Sequence, residues 1–263
     1  NKMKNLDILK KEYKKKGFLK INKFFEKSDI ISVKKSIKKN INLNKENHHF
    51  YYEKINNKQV LRRIEKISEF NKDAKKIILN KKIKKIINQL TKKEYKLFKE
   101  KLNFKYPGGM GFKPHIDGHF FWKDKKNKIR KGWREYSSDF LSVVIPLERV
   151  NMKNGCLKIS SFANTKKLGS NFKQITEKNI RFTPNIKKPY LKIFKWNTIE
   201  MDVGDILVFN WKCAHKSGKN LSSNSRMIFY ATFYKTNKIK DIKNKYYLDK
   251  KNSQNPFKNK SLQ

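Results

Sequence analysis

The spacing of apolar positions changes part-way along the chain. From Asp7 to Lys16 a thin apolar stripe runs through a polar segment, predicting a helix that stops at Gly17. FLKINKFF then reads as a short strand. Ser28 and Asp29 offer an N-cap ahead of Ile30, Ile31, Val33 and Ile37, which share one helical face. Asn71 is placed to cap a longer helix carrying Ala74, Ile77, Ile78, Ile83, Ile86, Ile87 and Leu90. From about residue 98, β-branched and aromatic residues become frequent. KLNFKY (101–106), GFKPHID (111–117), FLSVVIPL (140–147), CLKIS (156–160), NTIEMDV (197–203), DILVFN (205–210) and RMIFYATFY (226–234) read as strands. Gly204-Asp205 and GKNLSSNS supply turns. Many short strands with no long helix among them predict a barrel or sandwich, with the helices packed outside. HHFYYEK, with His48 and His49, reads as polar surface, rim or lid. From about Lys235 the chain is rich in Lys, Asn and Gln and reads as a tail, partly disordered or draped over the surface.

Composition narrows this picture. With 263 residues and 37% apolar content, the chain can bury one sizeable core or two small ones. No apolar run approaches the roughly 20 residues of a membrane helix, and the first residues lack the apolar stretch of a secretory signal. Two cysteines, Cys156 and Cys213, are too few for a disulfide framework and read as reduced thiols of a cytoplasmic protein. The net charge of +44 comes almost wholly from lysine; arginine occurs at only seven positions. Specific phosphate and base contacts favour arginine for its bidentate fork. Lys, Asn and Ile share A/T-rich codons, so the charge reads as genome composition. The expected partner is a small molecule, with no specific nucleic acid and no membrane.

The chemistry begins at GFKPHIDGHFFW. On a strand, residues i and i+2 share a face, so His115 and Asp117 can reach one metal ion. A third ligand must come from elsewhere, and His48, His49, His119 and His215 are the histidines available. His215 ends the strong strand pattern DILVFNWKCAH. Two histidines and one carboxylate form the facial triad of non-haem Fe(II) oxygenases, which leaves coordination positions open. Ser217 follows His215 by two residues and Arg226 by eleven. An inward Arg226 beside such a site suits a bidentate ion pair with a dicarboxylate cosubstrate, and Ser217 can add a hydroxyl hydrogen bond.

The order H-x-D, a gap of about a hundred residues, then H-x-S-x8-R resembles the phytanoyl-CoA dioxygenase family of Fe(II)- and 2-oxoglutarate-dependent oxygenases. EYKKKGFLKINKFFEKSDI resembles the family's opening, NMKNGCLKIS its Asn-Gly turn and strand, and MDVGDILVFNWKCAHKSGKNLSSNSR its distal histidine and arginine run. The resemblance implies a mainly β, α+β fold: a double-stranded β-helix (jelly-roll, cupin-like) core with N-terminal flanking helices. It implies one domain over 1–240, helical to about 97 with the β-helix core over about 98–236, and a polar C-terminal tail over 241–263. It implies that His115, Asp117 and His215 bind Fe(II), and that Arg226 and Ser217 hold 2-oxoglutarate. Asn103 matches an asparagine that contacts 2-oxoglutarate in ectoine-hydroxylase-like members. The implied reaction is hydroxylation with O2 as cosubstrate, 2-oxoglutarate being decarboxylated to succinate and CO2. Retention of Asp117 speaks against the halogenase branch, where a small residue makes room for chloride.

The run K-x-N-x-K-x-PGG-x-GF-x-PH-x-D further resembles members that hydroxylate 2-aminoethylphosphonate, as does the late KYYLDKKNSQNPF. Ile116 departs from the glutamine usual between those ligands, and the segment after Asp117 is longer and more basic. His119, Phe120, Trp122, Arg130 and Arg134 in that segment are the expected substrate contacts, with segment 118–138 as a mouth or lid. A small polar or anionic metabolite is the expected substrate. A tailoring or acyl-CoA hydroxylase of the same family is the alternative, and a non-catalytic nucleic-acid binder is a further one.

Overall fold

Alternation of inward and outward side chains builds most of the molecule as antiparallel sheet. The computed structural model describes residues 2–41, 49–120, 122–167, 185–237 and 241–252. The larger sheet has seven strands in the order β1 (Phe18–Ile21), β11 (Ile206–Asn210), β8 (Phe140–Pro146), β13 (Arg226–Lys235), β4 (Tyr95–Lys105), β3 (Lys58–Glu65) and β2 (His49–Ile55). The smaller sheet runs β10 (Trp196–Ile199), β9 (Leu157–Ser160), β12 (His215–Ser217) and β5 (Phe112–His115). A separate ribbon pairs β6 (Trp122–Lys123) with β7 (Ile129–Arg130). This two-sheet arrangement is the jelly roll that the sequence predicts.

Strand periodicity sorts the larger sheet into two faces. Val143, Ile145, Ile206, Val208, Met227, Phe229 and Ala231 join the core formed with the flanking helices α1 (Lys2–Lys16), α2 (Lys27–Asn40), α3 (Lys72–Ile78) and α4 (Lys81–Thr91). The alternate residues Val144, Leu207, Phe209 and Ile228 pack against Leu157, Ile159 and Ile199 of the smaller sheet. Functional side chains therefore emerge on the inner face, between apolar residues that keep water out.

Four expectations need correction. Neither Ser28 nor Asp29 caps α2, which starts at Lys27 after an extended Glu26 that makes no side-chain cap bond. Asn71 does cap a helix, accepting from the Ala74 amide at 2.8 Å. That helix ends at Ile78, because Asn80 accepts from the Lys82 amide at 2.9 Å and starts a second one. HHFYYEK is no lid: His49 opens β2, which pairs with β3 through a turn at Asn56-Asn57, both left-handed (φ 47° and 63°). Such residues suit a two-residue hairpin turn. His48 lies outside the described residues. The tail begins with a helix, α6 (Ile242–Asn252), whose Ile242, Tyr246 and Tyr247 are buried beside Phe98 and Trp133. Three apolar or aromatic residues inside a Lys/Asn-rich run are enough to dock it. The remaining 253–263 lies outside the described residues. Among the described residues no helix is long and apolar enough to cross a membrane.

Within the smaller sheet, β5 and β12 meet at a glycine. A Cβ at Gly111 would overlap the Ser217 carbonyl oxygen and the Gly218 backbone, so β5 can approach β12 only without a side chain there. Gly111→Ala should lower the melting temperature and weaken Fe(II) binding together, measured by thermal denaturation and metal titration.

Candidate active site

β5 and β12 bring together two residues a hundred positions apart. His115, the last residue of β5, is the cross-strand partner of His215, the first of β12. Their rings lie 4.2 Å apart between centroids. Each Nδ1 meets a backbone carbonyl two residues earlier: His115 that of Lys113 at 2.7 Å, His215 that of Cys213 at 3.0 Å. Placing the proton on Nδ1 satisfies both carbonyls and leaves both Nε2 lone pairs for a metal. Ile116 turns the other way, into a small cluster with Ile186, Phe194 and Ala214. Asp117 returns to the histidine side, its carboxylate oxygens 3.9 Å from the Nε2 of His115 and of His215. The three ligand atoms all lie within 4.8 Å of one another.

Electrostatics suit a cation here. Burial and the neighbouring His215 push His115 down to about 3, so the ring is neutral and can coordinate. Burial works against ionisation of Asp117, but His215, Lys101, His115 and Lys99 outweigh it and hold its pKa below the ordinary value. Two imidazoles and one carboxylate grouped on one side fit a divalent ion with open positions, as Fe(II) requires.

A second arrangement lies on two strands of the larger sheet. Arg226 opens β13, is only 2% exposed, and stands opposite Lys105, the last residue of β4. Arg226 donates to the Gly155 carbonyl at 2.6 Å, and its Nε has no hydrogen-bond partner among the described residues. The Lys105 ammonium donates to Ser217 Oγ at 3.1 Å, to the Gly218 carbonyl at 2.7 Å and to the Gly155 carbonyl at 3.2 Å. Ser217 Oγ also accepts from the Phe112 amide at 3.1 Å, so its own proton is left to offer. Gly155 is glycine for a reason: at φ +75°, a Cβ would overlap the Gly218 carbonyl. Glu53, the nearby carboxylate, is ion-paired to Arg62. Two adjacent buried basic side chains there have no carboxylate in ion-pair contact among the described residues.

The structure thus brings three side chains that could hold a metal ion close to a buried Arg226–Lys105 pair. The sequence model of the family described as Phytanoyl-CoA dioxygenase (PhyH) matches residues 13–228. The chain belongs to that family. It is 25% identical over 197 residues to "Dioxygenase lolE1" of Epichloe uncinata, across 75% of this chain and 68% of that one. It is 27% identical over 177 residues to "2-aminoethylphosphonate dioxygenase" of Uncultured bacterium HF130_AEPn_1, across 66% of this chain and 59% of that one. The epimerase SnoN in complex with Fe3+, alpha ketoglutarate and nogalamycin RO superposes with a TM-score of 0.66 at 14% identity, covering 88% of this chain and 84% of that one. At that identity the likeness is one of fold. With its family and its site, the protein is a dioxygenase that uses Fe(II), 2-oxoglutarate and O2.

Within this phytanoyl-CoA dioxygenase-family fold, the other predicted residues fall in different places. Asn103 lies on the inner face of β4, buried, and accepts from Arg63 Nε at 3.1 Å. His119 stacks on Trp211, 5.0 Å between centroids, and burial with Arg134 and Lys212 nearby pushes it down to about 3. Phe120 packs on the Phe98–Trp133 cluster and Trp122 is buried on β6. Arg130 is taken up by Asp124 at 2.9 Å and Glu135 at 3.8 Å, within its own loop. Arg134 is exposed. Neither arginine of the 118–138 segment is brought into the set of inner-face cations. Cys213 faces the Gly17 carbonyl at 3.4 Å, a packing role. The sequence reading gave no role to Lys99, Lys101 or Lys105, although the last two stand in the K-x-N-x-K run it quotes. The signal was K-x-K-x-N-x-K at period two, hidden among lysines that are almost everywhere on the surface.

Burial, with Arg226 and Arg62 alongside, pushes Lys105 down to about 6. A bound carboxylate raises that value again, so binding takes up a proton. Affinity for 2-oxoglutarate is then greatest below about pH 6 and falls as the pH rises toward 8. In Lys105→Met that slope should flatten and the KM for 2-oxoglutarate should rise roughly tenfold to a hundredfold, the worth of one charged hydrogen bond of about 1.5–3 kcal/mol. Steady-state kinetics across pH, with Fe(II) affinity as control, check both.

Proposed function

We propose that this dioxygenase hydroxylates a C–H bond of a small anionic metabolite, with 2-oxoglutarate decarboxylated to succinate and CO2. The observation that carries the reading is the pairing of His115, Asp117 and His215 with the buried Arg226–Lys105 receptor one strand pair away. His115 and His215 would hold Fe(II) through Nε2 and Asp117 through its carboxylate. Bound there, iron supplies the activation of O2 that the side chains lack. Arg226 would fork onto the far carboxylate of 2-oxoglutarate. Ser217 would donate its proton to the same group, and Lys105 would add a charged hydrogen bond to it while contacting Ser217. The apolar residues between the sheets exclude water from the reacting centre.

The finer reading is an aminophosphonate such as 2-aminoethylphosphonate. It is supported by the likeness to the 2-aminoethylphosphonate dioxygenase and by a cationic inner face able to receive an anion.

The test is a turnover screen with aminophosphonates, betaines, amino acids and acyl-CoAs. Succinate release should require both Fe(II) and 2-oxoglutarate, with hydroxylated product formed in step only from a small anionic class. His115→Ala and Arg226→Ala should both fall to background. Full activity in either variant, or coupled turnover of acyl-CoAs alone, would count against the proposal.

A further inference from the structure

The inner face of β4 carries a row of polar residues at every second position: Lys99, Lys101, Asn103 and Lys105. Two residues advance a strand by about 6.8 Å, so the row runs about 20 Å along the inner face. Lys105 and Asn103 sit at the Arg226 end. Lys99 and Lys101 sit at the other.

These two lysines are half-buried, and both lie within the electrostatic reach of Asp117. Lys99 lies over the Trp133 ring at 4.4 Å and reaches Tyr246 of α6 at 5.5 Å. Trp133 in turn abuts Gly118, the residue after the metal-side Asp117; a Cβ there would come within 2.9 Å of the indole. Lys101 stands opposite Tyr230 on one side and Glu65 on the other. The wall therefore borders the metal position.

Among the described residues, neither ammonium has a carboxylate within ion-pair distance. Glu65 is held by Lys250 at 2.7 Å and by Arg63 at 3.6 Å. Glu100 points to the opposite face, toward Ser68 and Lys243. Asp117 faces the metal position. Glu65 and Asp117 act on both lysines only through space, and two neighbouring cations partly kept out of bulk water with no direct ion pair are unfavourable on their own account. An anion seated between them removes that cost.

We propose that Lys99 and Lys101 form the substrate's head-group subsite, built for a doubly charged tetrahedral phosphorus oxyanion, a phosphonate or a phosphate monoester. The proposal rests on the dioxygenase reading above. Two ammonium groups match a dianion, whereas a carboxylate leaves one of them uncompensated. The head group lies at the opposite end of the β4 row from the cosubstrate, so the carbon chain extends toward the metal between them. α6 packs at this end, with Tyr246 against Lys99 and Lys250 ion-paired to Glu65.

The test uses the enzyme loaded with Fe(II) and 2-oxoglutarate under anaerobic conditions, so that binding is read without turnover. 2-Aminoethylphosphonate, O-phosphoethanolamine, taurine and β-alanine share a two-carbon amine and differ in the head group. Thermal-shift titration should show the phosphonate or the phosphate binding at least tenfold more tightly than β-alanine and taurine, and the tighter of the two identifies the source. In Lys99→Met and Lys101→Met that preference should fall at least tenfold. The visible absorption of the Fe(II)–2-oxoglutarate complex should be unchanged, which a general loss of structure would not allow. Phosphorus compounds that bind no better than β-alanine, absence of binding included, overturn the proposal, as does a preference that survives both substitutions. Failure of the Fe(II)–2-oxoglutarate complex to form in the parent enzyme would instead overturn the reading of the site itself.

Discussion

The close approach of β5 to β12 is the constraint on which the site depends. Antiparallel pairing sets His115 opposite His215, and a glycine at 111 is what lets the backbones meet. The same contact places the Ser217 hydroxyl against the Phe112 amide, joining the metal position to the anion receptor. A shift of one residue in this register would turn His215 to the other face. The apolar layers on either side hold the register, because any slip would expose them.

The interior is electrostatically unusual for a jelly-roll core. Lys99, Lys101 and Lys105 all lie on one strand and are pushed down to about 7, 8 and 6, in each case first by burial. Arg226 is buried behind them. Few carboxylates face this group, and Glu53 and Glu65 are already engaged with Arg62 and Lys250. Such an arrangement is unfavourable for folding in isolation and favourable for binding anions. Stability given up by burying these charges would return as affinity for an anion, which is how functional sites commonly depart from what a core alone would choose.

Much of the site was legible in the sequence because its signals are local. H-x-D on a strand, and H-x-S with an arginine nine residues beyond the serine in a chain with few arginines, could be read from spacing. The larger errors have physical causes. The α3–α4 break was missed because an apolar stripe continues across Asn80, whose side chain nonetheless starts a new helix. α6 was missed because its overall polarity conceals Ile242, Tyr246 and Tyr247. Arg130 attracted attention as a scarce residue, yet Asp124 and Glu135 in its own loop take up its charge.

The sequence by itself determined the strand periodicity, the class of metal site and the family resemblance, since each depends on residues close together or on a fixed order of motifs. Only the tertiary structure decided which of the many lysines matter. Charge on a side chain is local, but its meaning depends on whether a counter-ion faces it, and counter-ions come from distant segments. Glu65 on β3 is ion-paired to Lys250 from α6, so it reaches Lys99 and Lys101 on β4 only through space. Composition counts these residues alike; the packing of sheet and helix separates solvated charge from charge that waits for a ligand.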